Sequence, residues 1–308
     1  MIPSTPKISD MTPTLLVLAG PTAVGKTACG IELAEHFGTE IISADSRQLY
    51  RETTIGTAVP SPEELARIRH HFIQEVSLED PWHAYRFEQE ALIRLEQLFQ
   101  RHELVLAVGG SGLYIDALCH GIDDLPSHDP RIRADLSRRL EEEGLAALRE
   151  ELKVLDPVSY GKIDLNNPLR VMKALEVSIQ TGKPYSGFLS APRKERPFRV
   201  LKMALDMDRS LLYERINTRV DLMMEAGLLE EVRHLLPYRD LTPMKTVGYR
   251  ELFRHLDGEY SLEEAVDLIR RHTRKFARKQ LTWFRKNQQY SWFEPAQLPE
   301  MTRWIMEA

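Results

Sequence analysis

The chain has 308 residues, 28% of them charged and 43% hydrophobic, with a net charge of −5. This is ordinary globular composition with room for one large domain or two smaller ones, and it excludes a uniformly basic nucleic-acid binder, so any nucleic-acid contact must come from local patches. The two cysteines, Cys29 and Cys119, have no metal-ligand spacing and no run of 18 apolar residues exists, which argues against a disulfide framework and a helical membrane span and fits a reducing cytoplasm.

Met1 to Pro13 reads as a frayed tail and not as a signal peptide, because it lacks a charged start followed by a long apolar core. Leu15–Ala19 is an apolar strand, and Ala28–Phe37 continues a helix that opens near Lys26. Between them lies Gly20-Pro21-Thr22-Ala23-Val24-Gly25-Lys26-Thr27. Strand, glycine loop and helix in this order are the context of a phosphate-binding P-loop. The loop amides and the helix dipole face an anion, Lys26 adds a point charge, and the Thr27 hydroxyl suits a magnesium ion. Ile41 and Ile42 predict a second buried parallel strand. Asp45 and Ser46 follow it, at the carboxyl end that faces the ligand crevice in an open α/β sheet. Asp45 serves equally as a site residue or as the cap of the next turn.

Thr53–Pro60 is loop, and Ser61-Pro62 opens a short helix. His70 and His71 point to different faces, so they read as surface or supporting residues and not as a metal pair. A helix over 84–100 carries Phe87, Ala91, Leu95 and Leu98 on one face. The strand 104–109 ends in Gly109-Gly110-Ser111, where ATPases and GTPases usually place a magnesium-binding Asp. Glycines there admit the close approach of another backbone or base, or simply turn the chain into the next helix.

Composition changes near Gly121–Pro130. Helices are predicted over 131–143, 145–155 and from Asn167-Pro168 to about Gln180. The expected organisation is a P-loop NTPase-like α/β core with a parallel sheet over 12–122 and 197–308, an inserted all-helical domain over 123–196, and a helical C-terminal region. Phe198–Asp206 returns to the sheet, and a helix over 209–225 carries Arg215 and Arg219 one turn apart. That pair suits a diphosphate, or else surface ion pairs with Glu214 or Asp221. The last third reads as helical. Lys245-Thr-Val-Gly248-Tyr249-Arg250 is a turn with two cations and an aromatic. The end of the helix over 262–286 concentrates Arg270, Arg271, Arg274, Lys275, Arg278, Lys279, Arg285 and Lys286, interleaved with Phe276, Trp283 and Phe284. In an acidic chain this predicts contact with a phosphate backbone.

Taken together, GPTAVGKT, SADSRQLY, IGTA, AVGGSGLY, Asp129-Pro130, LRVMKALE, the arginine helix, VGYRE and RKQLTWFR resemble the tRNA dimethylallyltransferases (tRNA isopentenyltransferases) in order, from Gly20 to about Arg285. The resemblance implies transfer of a dimethylallyl group from dimethylallyl diphosphate to N6 of the adenosine 3′ of the anticodon. It also implies a requirement for Mg2+, with the inserted domain clasping the anticodon stem-loop. Gly20 to Thr27 would hold the diphosphate, Thr27 the metal, Asp45 would be the general base, and Lys26 and Arg219 would assist the leaving group. The tRNA would be met by Asp45, Ser46, Arg47, Gln48, Ser111, Arg133, Arg170, Lys173, Lys245, Gly248, Tyr249, Arg250, Arg278, Lys279, Gln280, Trp283 and Arg285. Ser111 stands where threonine is common in the family, and Leu169 and Met172 where polar residues are common. A cytoplasmic monomer is expected. A P-loop kinase and a non-catalytic RNA binder with a relict P-loop are the competing readings.

Overall fold

The computed structural model describes residues 12–126, 129–189 and 194–308. Most of the expected frayed tail therefore lies outside the described residues, as do residues 127–128 and 190–193 near the two ends of the expected insertion. The chain divides into two compact units, 1–119 with 196–308 and, inserted between them, 120–195.

The larger unit is built on β1 (Thr14–Ala19), α1 (Lys26–Phe37), β2 (Ile41–Ser43), α2 (Pro62–Arg67), β3 (His70–His71), α3 (Ala84–Phe99), β4 (Leu104–Gly109) and α4 (Gly112–His120). The inserted unit supplies α5 (Pro130–Glu142), α6 (Gly144–Leu155), α7 (Pro157–Lys162) and α8 (Pro168–Thr181). The larger unit then resumes with β5 (Arg199–Leu205), α9 (Arg209–Glu225), α10 (Leu228–His234), α11 (Tyr249–Leu256), α12 (Leu262–Arg285), β6 (Ser291–Phe293) and α13 (Leu298–Glu307).

The six strands form one sheet in the order β3-β2-β4-β1-β5-β6, and every pairing is parallel. β1 lies between β4 and β5, with Leu16 opposite Leu106 on one side and Leu201 on the other. Its residues Leu15–Ala19 are wholly buried, as a strand covered on both faces must be. The chain leaves β1 toward β2 on one side and later returns to β5 on the other. This places the loop after β1 at the point where the strand order reverses, the usual crevice of such a sheet. On α3, Phe87, Ala91, Leu95 and Leu98 are all buried, so the helical period seen in the sequence is the packing face. A second apolar core joins Tyr50, Val220, Leu228, Tyr249, Leu252 and Ile269 beneath the C-terminal helices.

The edges of the sheet depart from expectation. The segment after α12 is not purely helical, because Ser291–Phe293 adds a short edge strand beside β5. Of the two readings open for His71, surface or supporting, the second holds, because it is 2% exposed in β3, paired beside β2. Arg94 donates to its Nδ1 at 2.5 Å, so Nε2 carries the ring proton and donates to Glu40 at 2.7 Å. Burial holds this imidazole below its usual pKa, consistent with a neutral ring.

A buried ion pair ties α3 to the start of the return segment. Glu88 is fully buried and meets Arg196 at 2.9 Å, and the same guanidinium donates to the carbonyls of Ala117 and Leu118. Breaking such a buried ion pair by removing one partner typically costs about 3–5 kcal/mol. Arg196→Ala is therefore expected to lower unfolding stability by roughly that amount in a denaturant titration. A change under about 1 kcal/mol, the value of an exposed pair, would contradict the assignment.

The inserted unit has its own core of Leu136, Leu148, Leu152, Val171, Met172 and Leu175. Asp129 and Asn167 cap α5 and α8, each just before a proline. The helix α7 is absent from the sequence reading, although Asp156-Pro157 repeats that signal. Asp156 caps α7 through Ser159 N–H and also accepts from the amide and hydroxyl of Ser186.

Candidate active site

The loop after β1 closes onto α1 through Gly25, whose φ of 111° lies in the left-handed region, a conformation glycine enters without penalty. Ala23 is left-handed as well. A left-handed turn of this kind can direct amides toward an anion, although here the Val24 N–H turns back to the Pro21 carbonyl at 3.5 Å. Thr22, Lys26 and Thr27 line a cavity of about 360 Å3 in the larger unit. Lys26 Nζ donates to the Pro21 carbonyl at 2.7 Å. Burial lowers its pKa to about 8, against the opposing pull of Asp45 and with a further push from Arg219. Thr22 differs from expectation, because its N–H donates to Gln280 Oε1 at 2.9 Å. Its amide is committed inside the protein.

Asp45 is both a cap and a cavity residue. Oδ1 accepts from the amides of Arg47 at 2.8 Å and Gln48 at 3.4 Å, while Oδ2 has no hydrogen-bond partner among the described residues. The side chain lines the same cavity as Lys26. Ser111 Oγ accepts from Ser46 N–H at 2.9 Å and donates to Ser46 Oγ at 3.2 Å, so the turn after β4 holds the turn after β2. The glycines of that turn are explained by packing. A Cβ on Gly109 would lie 2.2 Å from the Ala44 carbonyl oxygen, and one on Gly110 would lie 2.3 Å from Gln280 Nε2. The visitors are this chain's own backbone and amide, so the reading of these glycines as open to another molecule is corrected.

Arg215 and Arg219 part company. Arg219 lines the cavity, and it makes no ion pair among the described residues. Burial lowers its pKa, and a guanidinium in such a place lacks only an anion. Arg215 instead donates to the Val24 carbonyl at 3.3 Å, gripping the loop from outside. The alternative pairing with Asp221 is also excluded, because Asp221 pairs with Arg270.

The rim of the cavity includes Gly56, Thr57 and Ala58, residues of the IGTA stretch. Gln48 Nε2 donates to the Ala58 carbonyl at 2.6 Å, so the Gln48 amide braces the rim from within. Glu231 receives the N–H groups of Thr54, Ile55 and Gly56, and also the Tyr249 hydroxyl at 2.7 Å. Sequence reasoning missed Glu231, since an acid on a short amphipathic helix carries no signal of its partners. Tyr249 is fully buried, so it sits inside the protein and not on the RNA-facing surface where its motif had placed it. Lys245, Thr246, Val247 and Gly248 line the cavity directly. The apolar wall comes from Ile216, Val220, Met223, Ile269 and Phe276.

The basic face of α12 is split by pairing. Arg270 pairs with Asp221, Arg285 with Asp206, and Arg274 donates to Asn217 Oδ1 at 2.7 Å. Arg285 is thus tied to the end of the sheet. Lys275, Arg278, Lys279 and Lys286 remain around a second groove with Thr282 and Trp283. Trp283 is 42% exposed and its Nε1 donates to Asp116 at 3.0 Å. Gln280, expected to touch RNA, is only 7% exposed and points inward. Arg250 pairs with Glu251. Arg133, Arg170 and Lys173 belong to the inserted unit. There Arg133 meets buried Glu176 at 3.4 Å, whereas Arg170 is exposed.

The donor set also bears on a metal. Among the described residues no group of three or more His, Cys, Asp or Glu side chains could hold an ion. Thr27 and Asp45 offer oxygens beside a cationic cradle. That fits Mg2+, which keeps waters and is usually bound through substrate phosphates with one or two protein oxygens.

The lowered pKa of Lys26 sets a pH dependence. A bound diphosphate favours the protonated amine, so affinity should be full below about pH 8 and fall as pH rises through that value. Calorimetric titration with inorganic diphosphate should show this loss in the wild type and not in Lys26→Arg, whose guanidinium stays charged. Identical pH profiles for the two would refute the contact.

The chain matches the IPP transferase family model over residues 48–287. It is 50% identical over 295 residues to tRNA dimethylallyltransferase 1 of Phocaeicola vulgatus, covering 96% of this chain and 98% of that protein. Among solved structures it is similar to the full-length tRNA isopentenylpyrophosphate transferase of Bacillus halodurans. That likeness has 34% identity and a TM-score of 0.69, and covers 96% of both chains. A eukaryotic dimethylallyltransferase acting on tRNA is similar at 27% identity with a TM-score of 0.73, over 88% of this chain and 70% of that one.

Proposed function

The chain belongs to the IPP transferase family, and from that premise we propose that it prenylates tRNA, transferring the dimethylallyl group of dimethylallyl diphosphate to N6 of the adenosine 3′ of the anticodon. The observation that carries this reading is the single cavity in which Lys26, the unpaired Arg219 and the half-free carboxylate of Asp45 all take part. A kinase is the weaker reading, because β4 ends in Gly109-Gly110-Ser111 and offers no acid to an ATP-bound metal.

The chemistry follows from the charges. The N6 lone pair of adenine is delocalised into the ring and attacks poorly. The C1–O bond to the diphosphate must therefore lengthen early, leaving carbocation character on the allyl carbon and negative charge on the departing oxygens. Lys26, Arg219 and the loop amides from Ala23 onward stabilise that charge where it develops. Thr27 would hold Mg2+, which supplies further neutralisation of the diphosphate when bound. As the N6–C1 bond forms, nitrogen becomes cationic and its proton acidic. Asp45 Oδ2 takes that proton, while Oδ1 stays fixed by the two amides. The apolar wall of Ile216, Val220 and Ile269 excludes water from the allyl cation. The adenosine must leave its stack to reach the cavity, which is easier in a loop than in a duplex.

Arg278, Lys279 and Trp283 on α12, with Lys245 at the rim, would meet the RNA backbone, and the inserted unit would clasp the anticodon stem-loop with Arg133, Arg170 and Lys173. A cytoplasmic monomer suffices for this chemistry, since every group named lies in one chain. The direct test is incubation with tRNA, Mg2+ and labelled dimethylallyl diphosphate, followed by nucleoside analysis. Label in N6-isopentenyladenosine supports the reading. Label absent from RNA, with a phosphorylated product formed from ATP, would replace it with the kinase.

A further inference from the structure

Gln280 lies on the basic helix α12, between Arg278 and Lys279 on one side and Trp283 on the other. Unlike them it is 7% exposed, and both ends of its amide are used inside the protein. Oε1 accepts from the Thr22 N–H at 2.9 Å, and Nε2 donates to the Gly110 carbonyl at 2.9 Å. Only this orientation of the amide satisfies both partners, since one is a donor and the other an acceptor.

These two bonds join parts of the site that are far apart in the chain. Thr22 begins the curl of the anion-binding loop. Gly110 precedes Ser111, whose hydroxyl holds Ser46 at 2.9 Å, and Ser46 adjoins Asp45. A continuous path therefore runs from the diphosphate cradle through Gln280 and the Gly110–Ser111 turn to the turn that carries the base. Contact is close enough that a single methyl at Gly110 would collide with the Gln280 amide nitrogen at 2.3 Å.

We propose that Gln280 is a positioning residue that holds the diphosphate cradle in register with the Asp45 turn, and that it does not contact RNA. Resting on the tRNA-prenylation reading, this assigns a split of labour along one helix. Outward side chains take the RNA backbone, and the inward amide fixes the donor loop. The Thr22 N–H is consequently spent on Gln280, so the amides left to grip the leaving group begin at Ala23.

Three variants test this by steady-state kinetics with both substrates varied, alongside anticodon stem-loop binding and melting curves. Gln280→Met keeps the length and removes both hydrogen bonds. Gln280→Glu keeps an acceptor for Thr22 but turns an oxygen toward the Gly110 carbonyl. Gly110→Ala disturbs the same contact from the other side and leaves Gln280 in place. All three are expected to raise KM for dimethylallyl diphosphate about tenfold, the value of one typical buried hydrogen bond. KM for tRNA and stem-loop affinity should stay within about twofold, well under that hydrogen-bond scale. Weakened stem-loop binding with unchanged donor KM would make Gln280 an RNA contact and overturn the proposal. A fall in kcat with both KM values unchanged, as from a smaller folded fraction, would overturn it as well. Wild-type turnover in the same assay separates these outcomes from failure of the prenylation reading, which would show as no product from any form of the enzyme.

Discussion

Asp45→Ala is expected to reduce prenyl transfer by ~10²–10⁴, the usual contribution of a positioned general base, or roughly 3–5 kcal/mol. Binding of the anticodon stem-loop should remain within several-fold. The two effects separate because Asp45 does two jobs with different atoms. Oδ1 is a local cap for Arg47 and Gln48, and its loss loosens the turn by the ~1 kcal/mol typical of a cap. Oδ2 is the proposed proton acceptor, and its loss would act on the transition state alone. Asp45→Asn distinguishes them further, since it keeps an oxygen for the cap and removes the basicity. If Asp45→Asn turns over normally in single-turnover measurements with saturating tRNA, the base is elsewhere.

The second large effect is at Lys26. Lys26→Ala removes a cation from a partly buried cradle in which Arg219 also lies, and loss of one preorganised stabilising group typically costs ~10²–10³ in kcat. Donor affinity should fall too, because the ground-state diphosphate is already charged. Stem-loop affinity should be unchanged, since Lys26 faces the donor cradle. Arg219→Ala should follow the same pattern and Arg215→Ala a weaker one, because Arg215 touches only a loop carbonyl. Equal effects of Lys26→Ala on donor and RNA binding, or none on turnover, would contradict the assignment of the leaving-group site.

The features legible in the sequence are those fixed by local backbone chemistry. Gly25, Lys26 and Thr27 form the loop after β1 because strand, left-handed glycine and helix start are all encoded within a few residues. The helix α3 was equally readable, since Phe87, Ala91, Leu95 and Leu98 keep one period and are buried together. Features that depend on distant partners were not legible. β3 and β6 are two and three residues long, too short for any periodicity to register. The basic run on α12 looked continuous because Asp206, Asn217 and Asp221, which take up Arg285, Arg274 and Arg270, lie more than fifty residues before the end of the helix. Tyr249 sits beside Arg250 in a cationic motif, yet it joins Leu252 and Phe253 on the buried face of α11. Gly109 and Gly110 showed that something comes close, but only the fold shows that it is Ala44 and Gln280.

The most direct measurement is a crystal structure of the protein with an anticodon stem-loop and a thiolodiphosphate analogue of the donor whose C–S bond resists cleavage. The account predicts the diphosphate on Lys26 and Arg219, and the unpaired adenosine with N6 about 2.6–3.2 Å from Asp45 Oδ2, hydrogen-bond reach for a base. A diphosphate bound away from Lys26, or an adenosine whose N6 faces any group but Asp45, would contradict it.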